Sequence, residues 1–98
     1  MDIRSSIQWA KAEIEKLPTE LPWRGSVLTQ ILYCEAVEDG TESPDRLEQL
    51  TMGWIVMREM DGYEPDTLQK TVSAIQYELQ QKRLPYAAKV RLGIHRRT

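Results

Sequence analysis

The sequence SPDRLEQLTMGWIVMREMDG, residues 43–62, decides the fold because it carries helix signals at both ends and is mostly apolar between them. Ser43 can cap a helix by accepting hydrogen bonds from free backbone N–H groups, and Pro44 suits the first helical position. Gly62 suits the end, because glycine adopts a left-handed backbone at little cost. The spacing of these signals predicts one α-helix over residues 44–60.

Apolar side chains cover most of this predicted helix. Placed at about 100° per residue, they form two nearly opposite stripes: Leu47, Leu50, Trp54 and Met57 in one, and Met52, Val56 and Met60 in the other. A helix that is apolar on most sides is covered on most sides, so we expect it to be the most buried element, with Trp54 inside. Gly53 indicates a close approach by another backbone. The run 52–57, taken alone, also suits a short strand.

Helical periodicity recurs on both sides of this segment and predicts an all-α fold. Good capping residues, Asp2 and Ser26, mark the starts of the first two helices, and Pro85 ends the last long one. The expected architecture is a compact domain of four helices at residues 2–16, 26–39, 44–60 and 65–83, followed by a short fifth helix at 85–92. We expect residues 1–92 to be one domain and residues 93–98 to be a frayed, basic C-terminal tail.

The composition of the 98-residue chain argues against several classes of protein. The single cysteine, Cys34, rules out an intramolecular disulfide and a cysteine-rich zinc site. Residues 1–16 are too polar for a signal peptide, and no window approaches the roughly 18 apolar residues of a membrane span. We therefore expect a cytoplasmic protein with no membrane contact, no metal and no cofactor.

Charge is distributed unevenly along the chain. Residues 1–81 hold seven Lys or Arg and all fifteen Asp or Glu, a net charge of −8. Residues 82–98 hold six Lys or Arg and no acid, a net charge of +6. Such asymmetry indicates an interaction with a charged partner. The basic segment could contact nucleic acid, or it could fold against the acidic body of its own or a neighbouring subunit.

The sequence offers no recognisable catalytic arrangement. Cys34 lies among apolar residues and His95 lies in the basic segment, so nothing in their positions brings them together. The chain contains no nucleotide-binding loop, zinc-protease or serine-hydrolase motif. Glu35 falls on an apolar helix face, where it could project past the core, pair with a basic residue such as Arg58, or act as a functional acid. We predict that the protein is not an enzyme.

Aromatic and methionine side chains favour a small regulatory or adaptor protein that acts through protein–protein contacts and forms a homodimer. Trp9 lies off the apolar stripe of the first helix, Trp23 lies in the proline-containing connector, and Tyr77 lies on the glutamine-rich side of the last long helix. These three are the candidate partner-binding residues. In the alternative interpretation, a neighbouring loop covers Trp9 and Trp23 is a lid over the core.

A DNA-binding regulator is the alternative function. Two helices joined by a short glycine-containing turn, residues 44–60 and 65–83, match the outline of a helix-turn-helix. Glutamine can pair with adenine in the major groove, and the candidate base-contacting residues are Gln69, Lys70, Ser73 and Gln76. The candidate phosphate-contacting residues are Lys82, Arg83, Lys89, Arg91, Arg96 and Arg97. The acidic body argues against this function, because it would repel a duplex.

Overall fold

The computed structural model describes residues 2–83, and these residues form four α-helices, one 3₁₀-helix and no strand. In chain order the elements are α1 (Ile3–Glu15), α2 (Arg24–Asp39), the 3₁₀-helix η1 (Pro44–Gln49), α3 (Met52–Glu59) and α4 (Thr67–Arg83). The all-helical prediction is confirmed for this part of the chain. The predicted fifth helix at 85–92 and the tail at 93–98 lie outside the described residues.

Local signals set most of the helix ends. Asp2 caps α1 as predicted, because its Oδ1 accepts from the Ser5 N–H at 2.7 Å. The predicted end of α2 at residue 39 is confirmed, and Gly40 follows it with a φ of 79° that favours glycine. The predicted start of α2 at Ser26 is wrong. The helix begins two residues earlier, and Trp23 occupies the cap position without a side-chain hydrogen bond.

The prediction of one continuous helix over residues 44–60 is wrong. Ser43 does cap the start, since its Oγ accepts from the Asp45 N–H at 3.2 Å, but the helix that follows is 3₁₀ and stops at Gln49. Leu50 is extended, with φ −64° and ψ 131°, and α3 starts afresh after Thr51. The segment therefore folds as two short helices at an extended break.

This break explains why both apolar stripes of the segment can be buried. In one straight helix they would point in nearly opposite directions. The extended backbone at Leu50 changes the direction in which the following side chains point. The core therefore contains members of both stripes: Leu47, Leu50, Met52, Val56 and Met60. The same break leaves Trp54 62% exposed, so the predicted burial of Trp54 is also wrong.

The helix at the centre of the fold is α4, which packs against α1, α3 and η1. Its apolar stripe, spaced at helical periodicity, is buried and comprises Leu68, Val72, Ile75 and Leu79. A second stripe of glutamines, predicted to lie on the outer face, is also buried: Gln69, Gln76 and Gln80. The physical reason is that α3 and η1 cover this side of α4, and their backbone groups need hydrogen-bond partners there.

Four glutamine amides, which we call the glutamine clamps, supply those partners. Gln76 Oε1 accepts from the Gly53 N–H at 2.8 Å, and Gln30 Oε1 accepts from the N–H groups of Thr51 and Met52 at 2.7 and 2.8 Å. Gln69 Nε2 donates to the Met60 carbonyl, and Gln80 Nε2 donates to the Leu47 carbonyl, both at 2.9 Å. Both ends of α3 and the end of η1 are thereby held to α2 and α4.

Close packing at Gly53 makes this arrangement possible. A Cβ added there would lie 3.0 Å from Ser73 Cα and 3.2 Å from Gln76 Oε1. The predicted close approach of another backbone at this glycine is confirmed, and that backbone belongs to α4. Any side chain at position 53 would push α3 away from α4 and lengthen the hydrogen bond from Gly53 to Gln76.

We predict that Gly53→Ala lowers the free energy of unfolding by about 1–3 kcal/mol, because overpacking against backbone outweighs the gain of about 1 kcal/mol in helix propensity. Gly25→Ala is the matched control, since nothing lies within 4 Å of a Cβ at that helical position. It should be neutral or stabilising by up to about 1 kcal/mol. Urea unfolding measures both changes, and equal effects at the two glycines would contradict the close packing.

Candidate functional site

The most exposed large apolar side chains of α3 and α4, with one from the loop between them, lie along one face of the protein. On α3, Trp54 and Met57 are 62% and 51% exposed, and they are three residues apart on the same side of the helix. Tyr77 on α4 is 44% exposed, and Tyr63 in the loop that joins the two helices is 62% exposed. We call these four residues the α3–α4 face.

A cleft of about 260 Å³ lies at one end of this face, and we call it the Trp54 cleft. Trp54 and Tyr77 form its aromatic walls, and Gly53 and Ser73 belong to its lining where the two helices come closest. The remaining lining residues are the clamps Gln76 and Gln80. Because these amides bond to the backbone of α3 and η1, the cleft offers a partner mainly its aromatic surface and the Ser73 side chain.

A second cleft, of about 300 Å³, lies at the other end of the face, and we call it the Tyr63 cleft. Met57, Met60 and Tyr63 supply apolar surface. Its charged and polar lining is Asp61, Glu64, Asp66, Gln69 and Lys70, and Gly62 completes it. Gly62 has a φ of 87°, so the turn that shapes this cleft depends on a glycine.

Of the three predicted partner-binding residues, one lies on this face. Tyr77 is exposed there, whereas Trp9 and Trp23 are half-buried and pack against the core. The structure thus agrees with the alternative in which Trp23 covers the core. Trp54, Met57 and Tyr63 were not among the predicted partner-binding residues. For Trp54 and Met57 the reason is that a helix covered on most sides would have turned them inward.

The predicted base-contacting residues do not form an outward polar surface. Gln69 and Gln76 are each 4% exposed, and both amides are engaged with the α3 backbone or the loop after it. In this arrangement neither amide is exposed to a partner, and base contact by these two residues stays a prediction. Ser73 is half-buried and donates to the Gly53 carbonyl at 3.4 Å. Lys70 is exposed and pairs with Asp66 at 3.3 Å.

The predicted phosphate-contacting residues fall mostly beyond the described part of the chain. Lys82 and Arg83 belong to the last turn of α4. Four of the six lie outside residues 2–83: Lys89, Arg91, Arg96 and Arg97. Binding of DNA by this basic segment stays a prediction.

The residues considered for nucleophilic chemistry are Cys34 and His95. Cys34 is buried, and burial raises the pKa of its thiol to about 12, so it is a neutral thiol at physiological pH. His95, the other residue considered for nucleophilic chemistry, lies outside the described range. Among residues 2–83, no three His, Cys, Asp or Glu side chains are grouped as a metal site would require.

Glu35 joins α2 to α1. Lys11 Nζ lies 2.9 Å from its Oε2, and Gln8 Nε2 donates to the same oxygen. Arg58, named above as a possible partner, pairs instead with the adjacent Glu59 at 3.0 Å. The hydrogen bond from Lys11, followed by the one from Gln8, lowers the pKa of Glu35, and the hydrogen bond to Glu35 raises the pKa of Lys11.

We predict that the Lys11–Glu35 pair stabilises the fold at neutral pH and that this contribution is lost in acid. Because the folded pKa of Glu35 is lowered from 4.5, the contribution is present above that value and declines as pH falls through the folded pKa. Glu35→Gln should therefore reduce the free energy of unfolding at pH 7 and change it less at pH 3. Lys11→Met should give the same pattern, and a pH-independent effect of Glu35→Gln would contradict the pairing.

Comparison of the chain with protein-family models, curated proteins and solved structures finds no match. Within residues 2–83, none of the helices has both the length and the apolar character that crossing a membrane requires. The geometry of the α3–α4 face is therefore the principal guide to function.

Proposed function

We propose that the protein is a non-enzymatic regulatory or adaptor protein that acts through protein–protein contacts of its α3–α4 face and associates with a second copy of itself. The observation that carries this proposal is the position of Trp54, a large aromatic side chain held outward on a short, firmly anchored helix. Tyr77 lies across a cleft from it, and Met57 extends the apolar surface along α3.

The energetics of burial support a protein partner for this surface. Covering apolar area contributes roughly 25 cal/mol per Å², and one aromatic side chain can bury about 150–250 Å². Tryptophan and tyrosine are enriched among the residues that dominate binding energy, and methionine adapts to irregular contacts. Since the glutamine clamps fix both ends of α3, little conformational order would have to be gained on binding.

The arrangement favours a second copy as the partner. Trp54 forms one wall of the cleft and is largely exposed, so two copies related by a twofold axis can each pack Trp54 against the aromatic walls of the other's Trp54 cleft. The cleft, at about 260 Å³, is smaller than the roughly 300–1,000 Å³ of most small-molecule sites. A single side chain is the better match for that size.

The DNA-binding alternative receives less support. Its two base-reading glutamines are buried, and the described part of the chain is strongly acidic, as residues 1–81 have a net charge of −8. What favours it is the basic composition of residues 82–98. Fluorescence anisotropy with a random-sequence duplex at low and moderate salt separates the two proposals, because phosphate binding weakens steeply with salt.

We predict that the full-length chain forms dimers whose dissociation constant rises at least about 10-fold in Trp54→Lys, since a central aromatic contact contributes about 2 kcal/mol or more. Sedimentation velocity across a range of protein concentrations measures this change. Because Trp54 is exposed, the variant should keep its helical circular dichroism and its unfolding midpoint.

The matched control is Leu32→Lys, which replaces an exposed apolar side chain of α2 that lines neither cleft. This variant should dimerise like the unmodified chain. A wild-type protein that remains monomeric at high concentration would overturn the proposal, and so would equal weakening by the two lysine substitutions.

A further inference from the structure

Gln69 in the Tyr63 cleft carries a hydrogen-bond acceptor that the described residues leave unused. Its side chain is 4% exposed, and its buried Oε1 has no partner within residues 2–83. Exchanging the amide oxygen and nitrogen would not give the oxygen a donor, because Nε2 donates to the carbonyls of Met60 and Tyr63 at 2.9 and 3.5 Å. A buried oxygen without a donor is destabilising, so an N–H group that reached this oxygen would remove the penalty.

Charge around the same cleft indicates which kind of donor it would accept. Three carboxylates line it, those of Asp61, Glu64 and Asp66, against the single cation of Lys70. Lys70 already pairs with Asp66, and Asp61 and Glu64 are exposed. The cleft therefore combines negative charge with a lining residue, Gln69, whose buried amide oxygen lacks a donor within residues 2–83.

An arginine side chain fits this combination better than the other donors. A guanidinium carries five N–H groups in a fixed plane, so it can bond to a carboxylate and to an amide oxygen at once. Its apolar stem can lie along Met57 and Met60, and its charged end can stack on the Tyr63 ring. Lysine supplies charge but not the planar fork.

We propose that the Tyr63 cleft receives an arginine side chain from residues 84–98 of a second copy of this chain. This inference rests on the proposed self-association, which brings a second copy to the α3–α4 face that the cleft belongs to. Residues 84–98 contain three arginines and a lysine and no acid, and residues 1–81 have a net charge of −8. The arginines are Arg91, Arg96 and Arg97.

Methyl NMR on mixed full-length chains tests this assignment. One chain carries ¹³C-methyl methionine and the substitutions Arg91→Ala, Arg96→Ala and Arg97→Ala, so that it presents its cleft but no arginine of its own. It is mixed with an unlabelled chain that is either wild type or the same triple variant. The expected result is a shift of the Met57 and Met60 methyl signals with the wild-type partner only. Met52 is buried and lines neither described cleft of the face, so its signal should stay in place.

Charge substitutions in the labelled chain test whether the contact depends on the carboxylates of the Tyr63 cleft. Glu64→Lys should raise the partner concentration needed for half of the shift by at least about 10-fold, as expected for reversing a charge at a charged contact. Glu20→Lys, an exposed change in the loop between α1 and α2, is the matched control and should leave that concentration unaltered.

Two results would overturn the assignment of an arginine from a second copy to the Tyr63 cleft. Methyl signals that do not respond to the wild-type partner overturn the assignment. A difference between labelled wild type and labelled triple variant that mixing does not reproduce also overturns it, because the contact then lies within one copy. If dimers form but the methyls do not shift, only this inference fails. If the methyls shift while Trp54→Lys leaves sedimentation unchanged, the cleft assignment stands and the Trp54 contact fails.

Discussion

The hydrogen bonds from the α3 backbone to glutamine side chains are the interaction on which the described structure depends. An α-helix of eight residues is too short to persist by itself in water, and its first N–H groups have no partner within the helix. Thr51, at the cap position, makes no side-chain cap. Gln30 and Gln76 accept from those groups instead, and Gln69 bonds the carbonyl at the other end.

Because α3 is fixed at both ends, its orientation about its own axis is fixed as well. Met52 and Val56 then face the core, and Trp54 and Met57 face outward beside α4. The same contacts that complete the fold therefore hold an aromatic side chain on the surface. Placing binding residues on a rigid helix reduces the ordering that association would require, which links the amide network to the proposed function.

Much of the fold could be predicted from the sequence, but the face could not. Periodic apolar residues predict the buried sides of α1 and α4, and Asp2 and Gly40 mark helix ends through local chemistry. The break at Leu50 is set by tertiary contacts, since nothing in the local sequence forbids a helix there. Glutamines are usually exposed, so burial of Gln69, Gln76 and Gln80 was unexpected. The available signal was their helical spacing together with Gly53, whose close approach to α4 was predicted.

Amide hydrogen exchange at the start of α3 tests the central claim most directly. If Gln30 and Gln76 act as the caps, the Met52 and Gly53 amides should exchange only through opening of the fold, as slowly as the interior amides of α4. The amides of Gly25 and Ser26, exposed in the uncapped first turn of α2, give the fast reference within the same protein. Exchange of Met52 and Gly53 at the rate of that reference would show that the glutamine clamps do not hold α3, and would contradict the account.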